Sequence, residues 1–151
     1  MLEHKIPPPV VTLVAIGGIY LSSQVSLMDA LQISPIYSLG GVLVLLGFGI
    51  MLAGALEFRR AQTTVNPLNP EQASELVSSG IFKRTRNPMY LGMSLMVGAA
   101  TLIVGHLSGL IWLIVFMLYI QVYQIHPEEK AMQKLFGDAF NQYRQQVRRW
   151  I

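Results

Sequence analysis

Leu43-Val44-Leu45-Leu46-Gly47-Phe48-Gly49-Ile50-Met51-Leu52-Ala53-Gly54-Ala55 carries no charged side chain and no polar face. A helix on the surface of a soluble protein needs such a face. The stretch therefore reads as the centre of a membrane span, and the rest of the chain follows suit. Hydrophobic residues make up 52% of the 151, and charged residues only 13%. A typical soluble domain carries about 25% charged residues. About 20 apolar residues cross the hydrocarbon core. Four segments of roughly this kind occur, at residues 9–27, 36–58, 88–105 and 107–125. The predicted fold is an all-α integral membrane protein of one domain, with four transmembrane helices and a C-terminal amphipathic helix at 127–149.

Orientation follows from the basic residues. Lys5 precedes the first span. Arg59, Arg60, Lys83, Arg84 and Arg86 lie between the second and third. Lys130, Lys134, Arg144, Arg148 and Arg149 follow the fourth. The connections around Asp29 and His106 hold neither Lys nor Arg. Both termini and the central 59–87 loop are thus expected on the cytoplasmic side. The first span follows Pro7-Pro8-Pro9 and lacks a clear small-x-small cleavage site, so it reads as a retained anchor. Gly17-Gly18, Gly40-Gly41 and the Gly47-x-Gly49 pair read as points of close helix packing. With no Cys there is no thiolate chemistry. His4, His106 and His126 lie too far apart for a metal-ligand spacing, so no metal is expected.

The central loop is long, and loops beyond about 12–15 residues are uncommon unless functional or disordered. Residues 63–70 are turn-prone, with Asn66-Pro67 and Asn69-Pro70. Leu76, Val77, Ile81 and Phe82 give the loop apolar anchors. It ends in Lys83-Arg84-Thr85-Arg86-Asn87-Pro88-Met89-Tyr90-Leu91-Gly92. Asn87 is a good N-cap and Pro88 a good first helical residue. Arg86 can snorkel to lipid phosphates. That reading leaves Tyr90 and Gly92 unexplained. Pro127-Glu128-Glu129 likewise suits the start of a helix. Gln121, Gln124 and Glu128 stand at i, i+3 and i+7, a polar face descending from the cytoplasmic end. Glu57, beside Arg59 and Arg60, reads as a local ion pair or an interfacial residue.

These residues carry a resemblance. Arg86-Asn87-Pro88-Met89-Tyr90-Leu91-Gly92 resembles the Arg-His-Pro-x-Tyr-x-Gly motif of the isoprenylcysteine carboxyl methyltransferase family. Glu128-Glu129 with Met132 resembles its Glu-Glu-x-x-Leu motif. Leu76-Val77-Ser78-Ser79-Gly80-Ile81-Phe82, Phe136-Gly137, Tyr143 and Arg148-Arg149-Trp150-Ile151 are similar to flanking parts of the pattern. The match covers about residues 57–151, and the chain also resembles phospholipid methyltransferases. The resemblance implies a bacterial-type inner-membrane methyltransferase. It would use S-adenosylmethionine at the cytoplasmic face and act on a lipophilic or membrane-lipid acceptor, a carboxylate or an amine. Leu76, Val77, Phe82, Asn87, Pro88, Met89, Tyr90 and Glu128 would bind the cofactor. Gln121 and Gln124 would meet the substrate, and Arg86 would serve catalysis. Nucleic acid is not an implied partner. Asn87 stands where the family has His, and Gln124 where eukaryotic members have Arg. An amide holds a carboxylate less strongly than a guanidinium, which weighs against prenylcysteine as the acceptor. The alternative reading is a non-catalytic membrane binding or assembly protein that retains the scaffold. A reductase related to membrane sterol reductases ranks last, because this chain is much shorter.

Overall fold

The computed structural model describes residues 6–62 and 74–151. His4, Lys5 and the turn-prone 63–70 stretch lie outside the described residues. Among the described residues all regular structure is helical, apart from one isolated bridge between Gln32 and His106. Helices α1 (Pro8–Ser22), α2 (Tyr37–Arg60), α3 (Pro88–Val104), α4 (Ser108–Ile120) and α5 (His126–Gln146) form the framework. Short 3-10 helices occupy Ser26–Leu31 and Gly80–Lys83, and a π turn, Gln121–Ile125, fuses α4 to α5.

Among the described residues, two helices are long and apolar enough to cross a membrane: α2 and the helical run Ser108–Gln146. Helices α1 and α3 are apolar but have 15 and 17 residues. Only 17% of the most apolar window of α2 is buried in the protein. Leu45, Leu46, Phe48 and Leu52 face outward. A core helix of a soluble protein does the opposite.

Two helix ends differ from the sequence expectation. The first apolar segment is expected to run to Leu27, but α1 stops at Ser22. The Ser23 hydroxyl donates to the Tyr20 carbonyl at 2.7 Å, and the Gln24 and Val25 amides bond back to Leu21 and Ser22. Serine side chains compete for backbone groups in this way and loosen a helix end. The C-terminal helix is expected over 127–149. It is interrupted at Gly137 (φ 50°, ψ −119°), a left-handed conformation that only glycine adopts freely, and it ends at Gln146. Val147 is then extended (φ −122°, ψ 129°).

A glycine seam sets the packing. Gly40, Gly47 and Gly54 are buried on one side of α2. A seven-residue spacing drifts only about 20° per repeat on a straight helix, so all three face α3. A Cβ on Gly40 would lie 2.5 Å from Ile103 Cγ1. One on Gly47 would lie 2.7 Å from the Gly92 carbonyl oxygen, and one on Gly54 would lie 3.1 Å from Pro88 Cγ. Gly18 of α1 meets the Trp112 ring of α4 in the same way, whereas Gly17, Gly41 and Gly49 face open space. One glycine of each sequence pair packs, and its neighbour does not.

At one end of the bundle, Gly105 (φ 71°) stops α3 and turns the chain into α4. The Ile33 amide donates to the Gly105 carbonyl, the Ile36 amide to Leu102, and the Leu107 amide to Leu31. These bonds tie the α1–α2 and α3–α4 connections together. The opposite end holds the start of α3 and the start of α5. Gly92→Ala should destabilise the protein by about 1–3 kcal/mol, because its methyl meets backbone at the seam. Gly49→Ala should cost nothing, since it faces open space and Ala is the better helix former. Unfolding midpoints of the two variants in detergent check this pair.

Candidate functional site

The start of α3 is held from outside the helix. Asn87 occupies the cap position and Pro88 the first turn, but no side-chain cap bond forms. The Asn87 side-chain amide instead donates to the Arg149 carbonyl at 2.9 Å. Pro88 has no N–H, so one of the free donors that a cap would serve is already absent. The Asn87 backbone amide donates to Thr85 Oγ1 at 3.1 Å, and the buried Thr85 hydroxyl reaches the Arg149 carbonyl at 3.3 Å.

Arg86 binds the same C-terminal tail. Its backbone amide donates to the Arg148 carbonyl at 3.0 Å. Its Nη1 donates to the carbonyls of Val147 at 2.5 Å and Arg144 at 3.2 Å. Its Nη2 pairs with Glu129 Oε1 at 2.7 Å. Arg149 meets Glu129 from the tail side, with Nη2 2.6 Å from Oε2 and Nε 3.1 Å from Oε1. Glu129 is thus shared by two guanidinium groups, one from the loop before α3 and one from the C-terminal tail.

Glu128, one residue earlier, faces a different partner. The Tyr90 hydroxyl of α3 donates to its Oε1 in a very short hydrogen bond. Burial pushes the Glu128 carboxyl up to about 8; the Tyr90 bond pulls it down, and the Glu129 charge adds to the rise. Burial raises Glu129 as well, but the hydrogen bonds and charges of Arg149 and Arg86 outweigh it and hold this carboxyl below its ordinary value. Adjacent carboxyls on one turn are therefore set apart: Glu128 tends to keep its proton, and Glu129 tends to lose it.

The loop before α3 supplies an apolar wall. Val77 and Phe82 are buried with Phe140, Tyr143 and Val147, and Leu76 packs at the edge of this cluster. The Tyr143 hydroxyl donates to the Phe82 carbonyl at 2.8 Å. Burial holds that hydroxyl well above the usual tyrosine range, against the opposing charge of Arg86. Glu57 fixes the loop from α2. It pairs with Arg60 at 2.6 Å and accepts a very short hydrogen bond from the Ser79 hydroxyl. Gly80 (φ 55°) turns so close to Glu57 that a Cβ would lie 2.5 Å from its Cδ. Glu57 forms the local ion pair expected of it, and it also clamps the loop, which the sequence does not announce.

The predicted site residues thus divide. Tyr90 and Glu128 touch, and Val77 and Phe82 share one cluster. Pro88 and Met89 lie against α2 at Gly54. Gln121 accepts a bond from the Trp150 indole at 3.3 Å. Gln124 is fully buried and donates to the Ile6 carbonyl at 2.9 Å, and its own carbonyl oxygen has no partner among the described residues. Each of Gln121, Gln124 and Glu128 therefore bonds to a different segment. The π turn at Gln121–Ile125 accounts for this, because it widens the helix just before Pro127, which has no N–H to offer and crowds the preceding turn.

The chain matches the model of the phospholipid methyltransferase family over residues 35–139. It belongs to that family. A protein of Haemophilus influenzae (strain ATCC 51907 / DSM 11121 / KW20 / Rd), described as uncharacterized, is 40% identical over 63 residues, 42% of this chain and 100% of that one. The phospholipid methyltransferase family is one of membrane methyltransferases acting on lipid. Its match takes in α2, α3, α4, Tyr90 and both glutamates, and ends before the tail that contacts them. Glu129, Arg149 and Trp150 were not among the predicted site residues. The signals available for them were the Glu128-Glu129 pair at a helix start and the Arg149-Trp150 pair after an amphipathic helix.

Glu128 has a pH consequence. Its carboxyl titrates near 4.5 in the unfolded chain and near 8 in the folded one. Between these values the unfolded chain binds fewer protons, so stability falls as pH rises from about 5 to 8. Glu128→Gln should flatten this fall. Unfolding midpoints measured across pH 5 to 8, with the wild type and variant side by side, check it.

Proposed function

We propose that this phospholipid methyltransferase family member uses S-adenosylmethionine to methylate a lipophilic or membrane-lipid acceptor, through a carboxylate or amine. The reading places α1 to α4 across a bacterial inner membrane, with both termini and the Tyr90–Glu128 end on the cytoplasmic side. The basic residues concentrated at that end support the orientation. The observation that carries the functional reading is the Tyr90–Glu128 pair, which joins α3 to α5 at the polar end of the bundle.

The residues present fit the cofactor. S-adenosylmethionine supplies a methyl group activated on a sulfonium cation. Glu128 offers a carboxyl that can accept bonds from ribose hydroxyls or an ammonium, and charge-assisted bonds are the stronger kind. The Tyr90 ring offers a face that attracts a cation by about 0.5–2 kcal/mol. Leu76, Val77 and Phe82 form the apolar wall suited to a purine, and Asn87, Pro88 and Met89 line the first turn of α3. Among the described residues, the buried side-chain atoms without a hydrogen-bond partner include Gln124 Oε1 and Arg86 Nε. Gln124 Oε1 can receive a donor from the acceptor, such as an ammonium or hydroxyl. Arg86 Nε can meet an anionic group, while its two Nη atoms hold Glu129 and the tail. An amine acceptor must lose a proton before transfer, and the Tyr90–Glu128 pair can take one once Glu128 is ionised. A carboxylate acceptor needs no base. Orienting the acceptor and excluding water then provide most of the acceleration.

Purified protein in lipid nanodiscs should bind S-adenosylmethionine saturably. Tyr90→Ala and Glu128→Ala should each weaken that binding about tenfold or more, the loss expected for a hydrogen bond to a charged group. Calorimetric titration checks the affinities, and transfer of labelled methyl into extracted membrane lipid checks the reaction. Failure of wild type to bind in nanodiscs and in detergent would overturn the reading and favour a non-catalytic scaffold.

A further inference from the structure

The tail at residues 147–150 lies beyond the family match, yet it supplies most of the hydrogen bonds that hold the start of α3. Three of its carbonyls, from Val147, Arg148 and Arg149, receive donors from Thr85, Arg86 and Asn87. These bonds require the tail to lie in one place. Two apolar anchors and one charged one put it there. Val147 is buried with Val77 and Phe82. Trp150 packs against the cluster containing Tyr90, Phe116 and Ile120, and its indole donates to Gln121. Between them, the Arg149 side chain forks onto Glu129, which also receives Arg86.

Glu129 and Glu128 divide the work of one helical turn. Glu128 meets Tyr90, and Glu129 fastens the tail and the start of α3 to that same turn. We infer that Arg149 is a positioning residue that, through Glu129, latches the tail over residues 85–87 and sets residues 87–90 against Glu128. The inference rests on the proposed function, since the geometry it serves is that of the cofactor site. Arg149 suits a test. Its side chain is 27% exposed, so replacing it disturbs the packing less than replacing Arg86, 10% exposed, or Glu129, 12% exposed. A guanidinium fork onto a carboxylate is directional, so a lysine at this position keeps the charge but loses the fork.

The chain has two tryptophans, Trp112 and Trp150. In a Trp112→Phe background, Trp150 becomes the sole fluorescent reporter of the tail. The full-length protein is placed in nanodiscs, and two quantities are read: Trp150 emission with acrylamide quenching, and S-adenosylmethionine affinity by titration. Arg149→Met should shift Trp150 emission to the red, raise its quenching and weaken cofactor binding about tenfold. Arg149→Lys, which keeps the charge but loses the fork, should recover only part of both. Lys130→Met removes a cation from the residue next to Glu129, on an exposed side chain, and should change neither. An unmoved Trp150 in Arg149→Met overturns the latch. A released Trp150 with unaltered cofactor affinity overturns the positioning role. If the background protein itself binds no cofactor, the functional reading fails, and the Trp150 response alone still decides whether the latch exists.

Discussion

Hydrocarbon gives two apolar helices no hydrophobic reason to associate, so the closeness of α2 and α3 depends on backbone reaching backbone. Gly47 and Gly92 meet there with no room for a methyl group on either. The rest of the polar end is built out from that line of contact. Gly54 seats Pro88, which fixes where α3 begins. One turn further along α2, Glu57 is buried and holds Ser79 and Gly80, which fixes where the loop returns. The seam thus places two of the three segments that form the candidate site before any polar bond is made between them.

The third segment is the tail, and it joins two otherwise separate apolar clusters. Val147 belongs to the cluster of Phe82 and Tyr143, while Trp150 packs on that of Tyr90 and Phe116. Glu129 sits on the span between these anchors and accepts from three guanidinium nitrogens. A largely buried carboxylate is stable only when its charge is paired and its lone pairs are filled. That requirement makes the polar junction a single cooperative unit, in which neither arginine is a spare.

Much of this was legible in the sequence, and the reason some was not is physical. The apolar segments showed themselves because a span needs no partner to be recognised. The starts of α3 and α5 were visible in Asn87-Pro88 and Pro127-Glu128, since proline at a helix start acts locally. The glycine pairs pointed to packing, and the seven-residue spacing of Gly40, Gly47 and Gly54 says which member of the two pairs on α2 would serve. Gly137, a glycine within an amphipathic pattern, was an available sign of a break. The bonding of Asn87 was hidden, because its partner lies 62 residues away. The use of Arg86 was hidden for the same reason, with partners 43 to 61 residues away. Local pattern gives the element, and distant partners decide what its polar side chains do.

The opposed tendencies of Glu128 and Glu129 make the site a proton store. Burial pushes the first carboxyl up to about 8 and so favours its protonated form, while the two arginines hold its neighbour below the ordinary carboxylate value and favour its charge. A cation settling beside Glu128 favours the ionised carboxylate and drives that proton out. Uptake of such a guest is then an exchange, one positive charge in and one out. The bundle gains no net charge in a region where an unpaired one is costly, and the guest's affinity becomes coupled to the acidity of the surrounding water.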